Sequence, residues 1–210
     1  MRESMILFSQ ADLSSVLYGH EQKMLKEIDA FDGGRMLEES VESLCDHFEK
    51  EYRIEIPNLD EAGITFDQEE TKVDVRRTPN RVLYDTRRTT HIPGTLFTFF
   101  VPYKGDQELF KCRPSAYNHN PPHAKVKAGE LELAYPVTDQ DAASIRAQFD
   151  RDLAQIRQWL AWMANDVEQF NSTVRAKARA KLETRKRRLE KDRELALGIG
   201  FPSRRGSGGK

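Results

Sequence analysis

The most constraining feature of this chain is a regular spacing of apolar side chains in its last third. From residue 149 to residue 174 these side chains are separated alternately by four and three positions. A 4-3 spacing of this length is typical of a helix that packs lengthwise against another helix. We call this set the seam; its members are Phe149, Leu153, Ile156, Leu160, Met163, Val167, Phe170 and Val174.

The seam belongs to a long predicted helix, because no glycine or proline occurs from residue 137 through residue 197. Thr138 and Asp141 resemble a capping box at its start. An unbroken helix from 139 to 197 would be about 88 Å long, so it either projects as a stalk or folds back. Residues 171–173, Asn-Ser-Thr, favour caps and are the place where it would fold back.

Either of two arrangements would bury the seam. The first is the rest of this chain, and Trp159 and Trp162 widen the apolar face in a way that suits packing against a sheet and N-terminal helices. The second is a copy of the same helix in another chain, which would make the seam an oligomerisation surface. The spacing alone does not choose between them.

The N-terminal part predicts a helical hairpin followed by a sheet. Apolar residues recur at helical spacing from Leu13 to Phe31, after Asp12, and again from Leu37 to Tyr52 with acidic residues on the outer face. From residue 53 to residue 137 the period is two, which is typical of strands. We therefore predict an α+β fold with about five or six mostly antiparallel strands.

The predicted strands are separated by turn formers. Ile54 and Ile56, Ile64 and Phe66, and Val73 and Val75 are the alternating pairs, and residues 95–101 have the apolar composition of a central strand. Residues 104–106 predict a hairpin turn into residues 109–112, and residues 128–130 predict a second hairpin. The proline-rich residues 113–122 are predicted to form a long loop.

Three segments follow from these patterns. Residues 1–137 form the helical hairpin and sheet domain, residues 138–198 form the C-terminal helix or helical hairpin, and residues 199–210 form a tail. Residues 206–210, Gly-Ser-Gly-Gly-Lys, have the composition of an artificial linker.

Charge is distributed very unevenly along the chain. Residues 1–70 carry 6 basic and 18 acidic side chains, whereas residues 175–210 carry 13 basic and 4 acidic ones. The two ends therefore attract opposite partners, or each other. The basic helix is a candidate nucleic-acid-binding segment, with Glu183 and Glu190 available as partners if it is only a solvated helix. The candidate contacts are Arg175, Lys177, Arg179, Lys181, Arg185, Lys186, Arg187 and Arg188.

Composition excludes several other classes. The start of the chain lacks the pattern of a signal peptide, and no stretch has the length and apolar character of a membrane span, so we expect a cytoplasmic protein that does not bind membranes. The two cysteines, Cys45 and Cys112, form no CxxC motif. No cofactor-binding motif is present, and we expect no cofactor and no resident metal.

Two small constellations could carry chemistry. Asp60 or Asp67 followed by Glu70 and Lys72 is similar to the acidic and lysine set of metal-dependent nucleases, but ExK is common in a chain with 32% charged residues. His119 and His123 could bind zinc together with Cys112. Prolines 121 and 122 prevent a helix there, so a loop with exposed histidines is the simpler interpretation.

Several segments resemble one group of bacterial proteins. They are Phe110-x-x-Arg113-Pro-Ser115, Asn118-His-Asn-Pro-Pro122, Phe149-Asp-Arg-Asp-Leu153, Asp166-Val-Glu-Gln-Phe-Asn171 and Leu197-Gly-Ile-Gly-Phe-Pro202. The chain is similar there to the N-terminal region of antiphage-defence proteins that carry a C-terminal restriction-endonuclease-like or TIR-like effector. The resemblance implies a sensing, docking or oligomerising module, with the effector after residue 205 or on a partner. It carries over no catalytic residue.

The leading functional prediction is therefore a non-enzymatic module that oligomerises or docks and positions an effector, most simply a nuclease. The alternatives are a nucleic-acid-binding module acting through residues 175–193 and a metal-dependent nuclease. The expected partners are a second copy of the chain, an effector domain or subunit, and nucleic acid at the basic helix.

Overall fold

A computed structural model describes residues 4–74, 91–138, 141–199 and 201. The fold is α+β, as predicted. The helices are α1 (Leu13–Ala30), α2 (Gly33–Glu38), α3 (Val41–Tyr52) and α4 (Ala142–Ile199). The strands are β1 (Met5–Ile6), β2 (Ala11–Asp12), β3 (Asn58–Leu59), β4 (Thr65–Asp74), β5 (His91–Lys104), β6 (Cys112–Arg113), β7 (His123–Lys127) and β8 (Glu130–Val137).

The sheet is antiparallel and six-stranded, with the order β1-β7-β8-β5-β3 and with β4 also paired to β5. Strand β5 is its long central member, pairing with β4 along one edge and with β8 along the other. This confirms the predicted central strand at residues 95–101. Strands β2 and β6 form a separate parallel pair.

The second predicted hairpin is correct. Strands β7 and β8 are joined through Gly129, whose φ of +80° lies in the left-handed region that glycine adopts without strain. The proline-rich loop is also found, and it is held at its start. Ser115 donates its backbone N–H and its hydroxyl to the Asp166 carboxylate, at 2.7 and 2.6 Å.

The first predicted hairpin is wrong. Residues 107–111 form a 3₁₀-helix instead of a strand, and Cys112 then enters β6. The reason is local, because the Asp106 carboxylate accepts a bond from the Glu108 backbone N–H and caps a helical turn.

Two other boundaries differ from the prediction. The pattern from Leu37 to Tyr52 is divided into α2 and α3 because the Ser40 hydroxyl accepts from the Ser43 backbone N–H and starts a new helix. Residues 54–56 are not a strand, and a single strand, β4, replaces the two predicted at 64–66 and from Val73. Val75 lies outside the described residues.

The long helix is one element, not a hairpin. Asp141 caps it through a 2.7 Å bond to the Ser144 N–H, so the predicted capping box is replaced by a simple Asp cap. The polar residues at 171–173 do not end it. Asn171 instead bonds both the N–H and the C=O of Ile54, at 3.0 and 2.9 Å, and the Thr173 hydroxyl bonds the Phe170 C=O.

Contacts divide the described chain into two compact units, whose boundary lies between Asp166 and Val167 within α4. Unit 1 comprises described residues of 4–14 and 55–166, and it contains the sheet. Its core is aromatic. The Phe149 ring stacks on Phe99 with a centroid distance of 4.3 Å, and Trp159 stacks on Phe8 at 5.3 Å.

Unit 2 comprises described residues of 15–54 and 167–201 and is entirely helical. His20 lies between the Tyr52 and Phe170 rings, at centroid distances of 4.9 and 6.0 Å, while Phe31 meets Phe48 edge-on. The N-terminal hairpin helices thus pack with residues 167–199 of α4. The sequence predicted a domain boundary after residue 137, whereas the contacts divide the chain after residues 14, 54 and 166.

Candidate functional site

The whole seam is buried. Its eight side chains are between 0% and 9% exposed. Five of them, from Phe149 to Met163, belong to unit 1, and the other three belong to unit 2. The buried stripe continues through Ala178 and Leu182, both 0% exposed. Of the two predicted coverings, the structure shows the intrachain one, so a second copy could reach these side chains only if the fold opened.

The basic helix meets the acidic N-terminal helices. Arg175 donates to Glu42, Asp46 and Glu49 of α3, at 2.9, 2.6 and 2.8 Å. Arg179 donates to the same Glu42 carboxylate, at 2.5 Å. Two guanidinium groups and three carboxylates therefore form one connected network on this side of α4.

The opposite side of α4 carries a second set of ion pairs, with helix α1. Lys177 lies 2.6 Å from the Glu21 carboxylate, and Lys181 lies 2.6 Å from that of Asp29. The sequence left two possibilities open: the acidic and basic ends of the chain attract each other, or each attracts a partner of its own. The structure shows that they attract each other within unit 2.

Arg185 and Lys186 bind main-chain carbonyl groups instead. Arg185 donates to the C=O of Ile28 and of Phe31 at the end of α1, and Lys186 donates to the C=O of Glu39 after α2, at 2.6 Å. The last carbonyls of a helix lack intrahelical partners and carry partial negative charge, so a cation there is stabilising. Arg185 and Lys186 therefore cap the C-terminal ends of α1 and α2.

Arg187 and Arg188 face the solvent. Both contact residues of α4 itself. Arg187 donates to the Glu183 C=O at 3.2 Å. Arg188 lies 4.0 Å from Asp192, and 84% of its side chain is exposed. Six of the eight predicted nucleic-acid contacts are thus engaged by α1, by α3 or by the helix ends, and two are open.

Electrostatics keeps the α3 network charged. The hydrogen bond from Arg179 lowers the pKa of Glu42, burial opposes this, and Arg175 lowers that pKa further. The bonds that Arg175 donates to Asp46 and Glu49 raise its own pKa against burial. Glu42 and Arg175 therefore face each other as a charged pair at neutral pH.

The far end of α4 exposes large apolar side chains, which sequence reasoning did not assign a role. We call this group the apolar tip: Leu195, Leu197, Ile199 and Phe201, between 66% and 81% exposed. A signal was available, since four large apolar residues follow a strongly polar stretch. Leu195 and Ile199 lie one turn apart, but Leu197 lies on another side of the helix and Phe201 lies beyond its end, so these residues do not form one long stripe like the seam.

The nuclease-like set is not assembled. The Asp67 carboxylate accepts from the Gln68 N–H, and Asp60 caps a 3₁₀ turn through the Gly63 N–H. Asp67 and Glu70 have opposite parity along β4, so their side chains point to opposite faces of the sheet. Glu70 and Lys72 share a face, beside a shallow depression.

The histidine set is not assembled either. His119 lies in the loop beside the Tyr117 ring, His123 is an exposed residue of β7, and the buried Cys112 thiol contacts the Glu108 C=O. Burial raises the pKa of this thiol, and the carboxylates of Asp106 and Glu108 raise it further. Within the described ranges, no cluster of three or more His, Cys, Asp or Glu residues could hold a metal ion.

Unit 1 also contains a cavity of about 240 Å³ beside β8. It lies beside His123 and Ala124 of β7, which pair with β1 on the other edge of that strand, whereas β7 pairs with β8 only at residues 125–127. The Tyr135 hydroxyl donates to Asp152 in its wall, at 2.8 Å, and Glu132, 4% exposed, is paired with Lys125 and Lys127. Each of these polar groups therefore has a partner within the protein, which explains its presence here without a ligand.

No family model, curated protein or solved structure matches this chain. Among the helices of the described residues, none combines the length and the apolar character needed to cross a membrane.

Proposed function

We propose that this chain is a non-enzymatic docking module of a bacterial antiphage-defence protein, and that its apolar tip binds and positions an effector domain or subunit. The observation that carries the proposal is the exposure of Leu195, Leu197, Ile199 and Phe201 at the end of α4. The resemblance of the sequence to effector-bearing defence proteins supports the choice of partner.

The energetics of the tip favours a partner. Fully burying a side chain of this size contributes about 1.5–3 kcal/mol, so four of them offer several kcal/mol before the losses of association. The seam offers nothing comparable, because its side chains already lie in the core. The tip is therefore the place where α4 has apolar surface left to bury.

The chemistry around the tip describes the partner. Arg187, Arg188, Lys191 and Arg193 are exposed on the preceding turns, together with Glu190, Asp192 and Glu194. A complementary surface would have an apolar groove for Leu195 and Ile199, which lie one turn apart on one side of the helix, and a polar rim that matches this mixture of charges.

The test uses the natural gene with its effector in a phage-challenged bacterium and, in parallel, the purified chain and effector in a binding titration. Leu195→Glu/Ile199→Glu should abolish both protection and binding, because it places charges in the apolar contact. Phe66→Ser, which changes an equally exposed apolar residue on β4, is the control and should change neither. Full protection and binding by the double variant would refute the proposal.

A further inference from the structure

The ion-paired part of α4 has the layout of a surface for two phosphate backbones. At about 100° per residue, Arg175 and Arg179 lie on one side of the helix, and Lys177 and Lys181 lie on the other. We call these two rows the basic shoulders. The solvent-exposed face between them carries Ala176 and Ala180, whose small side chains leave room for close approach, and then Glu183, the one acidic side chain on this face among these turns.

The dimensions agree with a duplex. A helix with its side chains is about 10–12 Å across, which is close to the width of about 12 Å of the major groove of B-DNA. Cations on both sides of such a helix face the two backbones that border the groove.

The partners of the shoulders have the same chemistry as a phosphate backbone. Glu42, Asp46 and Glu49 lie at positions i, i+4 and i+7 of α3, so they form a row of anionic oxygens along one helix face. Arginine forms the same charge-assisted bonds with carboxylate and with phosphate. Glu21 and Asp29 of α1 hold the other shoulder in the same way.

We propose that the exposed face of α4 between its basic shoulders is a binding surface for a nucleic-acid duplex, and that the carboxylates of α1 and α3 act as an internal competitor that keeps it closed. Neutralising those carboxylates releases the arginine and lysine side chains toward the duplex. This surface is separate from the apolar tip, so it stands or falls independently of effector docking.

Competition is possible because the ion pairs are accessible. The shoulder side chains are between 33% and 41% exposed, and the exposure of their carboxylate partners ranges from 19% at Glu21 to 70% at Asp46. Beneath them, the buried Leu44, Phe48 and Leu182 hold unit 2 without using these charges. A polyanion can therefore exchange with the carboxylates at the level of side chains, while the helices stay in place.

The test is a graded series of variants measured by fluorescence anisotropy with a labelled DNA duplex of mixed sequence and the matching RNA duplex. The first variant, Glu42→Gln/Asp46→Asn/Glu49→Gln, frees one shoulder from α3 and leaves Arg179 only its 4.0 Å contact with Glu183 of α4. The second adds Glu21→Gln/Asp29→Asn and frees both. The control, Asp67→Asn/Glu69→Gln/Glu70→Gln, removes three exposed carboxylates from β4 and so matches the first variant in charge.

The salt dependence gives the expected numbers. Each phosphate contact contributes about 0.9 to the slope of log K against log salt, so two freed arginines add about 1.8 and four freed cations add about 3.6. Between about 50 mM and about 200 mM salt these slopes weaken binding by about 12-fold and about 150-fold. The control should bind as the wild-type chain does. A preference for DNA over RNA is expected, because the major groove of A-form RNA is too narrow for a helix.

Two outcomes would overturn the proposal. If both freed variants remain folded by circular dichroism and gain no binding, the ion pairs only join the helices. If the control gains as much as the first variant, net charge alone is responsible. Should the larger variants fail to fold, Glu42→Gln alone releases a bond to both arginines. Adding Arg175→Ala/Arg179→Ala to whichever folded variant gains binding must abolish that gain.

Discussion

The two halves of α4 are held in different ways. In unit 1 the helix presents Phe149, Leu153, Ile156 and Trp159 to an aromatic core beside the sheet. In unit 2 the buried stripe narrows to Val174, Ala178 and Leu182, and ion pairs flank it on both sides. The comparison shows that one continuous helix can be held in place by a large buried apolar area in one region and by a narrow apolar stripe bordered by ion pairs in another.

The largest expected effect is in unit 1. Trp159 is 1% exposed and stacks on Phe8. Trp159→Ala should lower the free energy of unfolding by about 3–5 kcal/mol, because it removes buried aromatic area and leaves a cavity. Urea denaturation followed by circular dichroism measures this loss. The half-buried neighbour Trp162, replaced by alanine, should lose less, and an equal loss would contradict the assignment of the core.

The narrower stripe of unit 2 should respond less. Leu182 is fully buried, and Leu182→Ala should lower the free energy of unfolding by about 2–3 kcal/mol, since a smaller volume is removed than at Trp159. The same denaturation measures it. Leu195→Ala, on an exposed turn of the same helix, should change stability by no more than about 0.5 kcal/mol. A larger loss at Leu182 than at Trp159 would reverse the comparison.

Among the described residues of unit 1, Glu132 is the one buried charged side chain, and it tests whether apolar packing alone stabilises this core. Burial raises the pKa of Glu132, but bonds from Lys127 and Lys125 outweigh it and hold that pKa below the ordinary value of 4.5. Glu132→Gln should lower the free energy of unfolding by about 1–3 kcal/mol at neutral pH.

The pH dependence of this loss has a definite sign. A lowered pKa stabilises the folded state above pH 4.5, and this contribution disappears as the pH falls through the folded-state pKa of Glu132. The difference between the wild-type chain and Glu132→Gln should therefore shrink below pH 4.5. Denaturation across a pH series measures it, and a difference independent of pH would contradict the role of the ionised carboxylate.

The smallest expected effect is at the surface of unit 2. Arg175→Ala should lower the free energy of unfolding by less than Trp159→Ala, Leu182→Ala or Glu132→Gln, because its ion pairs are solvent-accessible. The loss should diminish as salt is raised to about 1 M, where the Debye length is about 3 Å. Denaturation at low and high salt measures it. A loss that does not depend on salt would show that Arg175 contributes by packing.

Local pattern was sufficient for much of the fold. The extent of α1, the strand around residues 95–101, the hairpin through Gly129 and the long C-terminal helix all follow from periodicity and from turn residues. The local pattern was insufficient where a single polar side chain determines where a helix or a helical turn begins. The carboxylate of Asp106 and the hydroxyl of Ser40 each bond a backbone N–H two or three residues later, and apolar spacing does not register such bonds.

The candidate site divides in the same way. The basic residues of α4 are evident in the sequence, but their partners lie more than a hundred residues away. Whether Arg175 meets a phosphate or Asp46 depends on which helices pack beside it, and composition carries no information on that. The apolar tip was missed because its residues have no periodic stripe.

Residue spacing and charge established that this chain has a long helical segment with an apolar stripe and a basic end, because both properties are local to the helix. Only the packed structure decided what covers them: the chain's own sheet and helices cover the stripe, and the acidic helices cover most of the basic end. The physical reason is that burial and ion pairing are properties of residues distant in sequence, and α1 and α3 reach α4 only in the folded state.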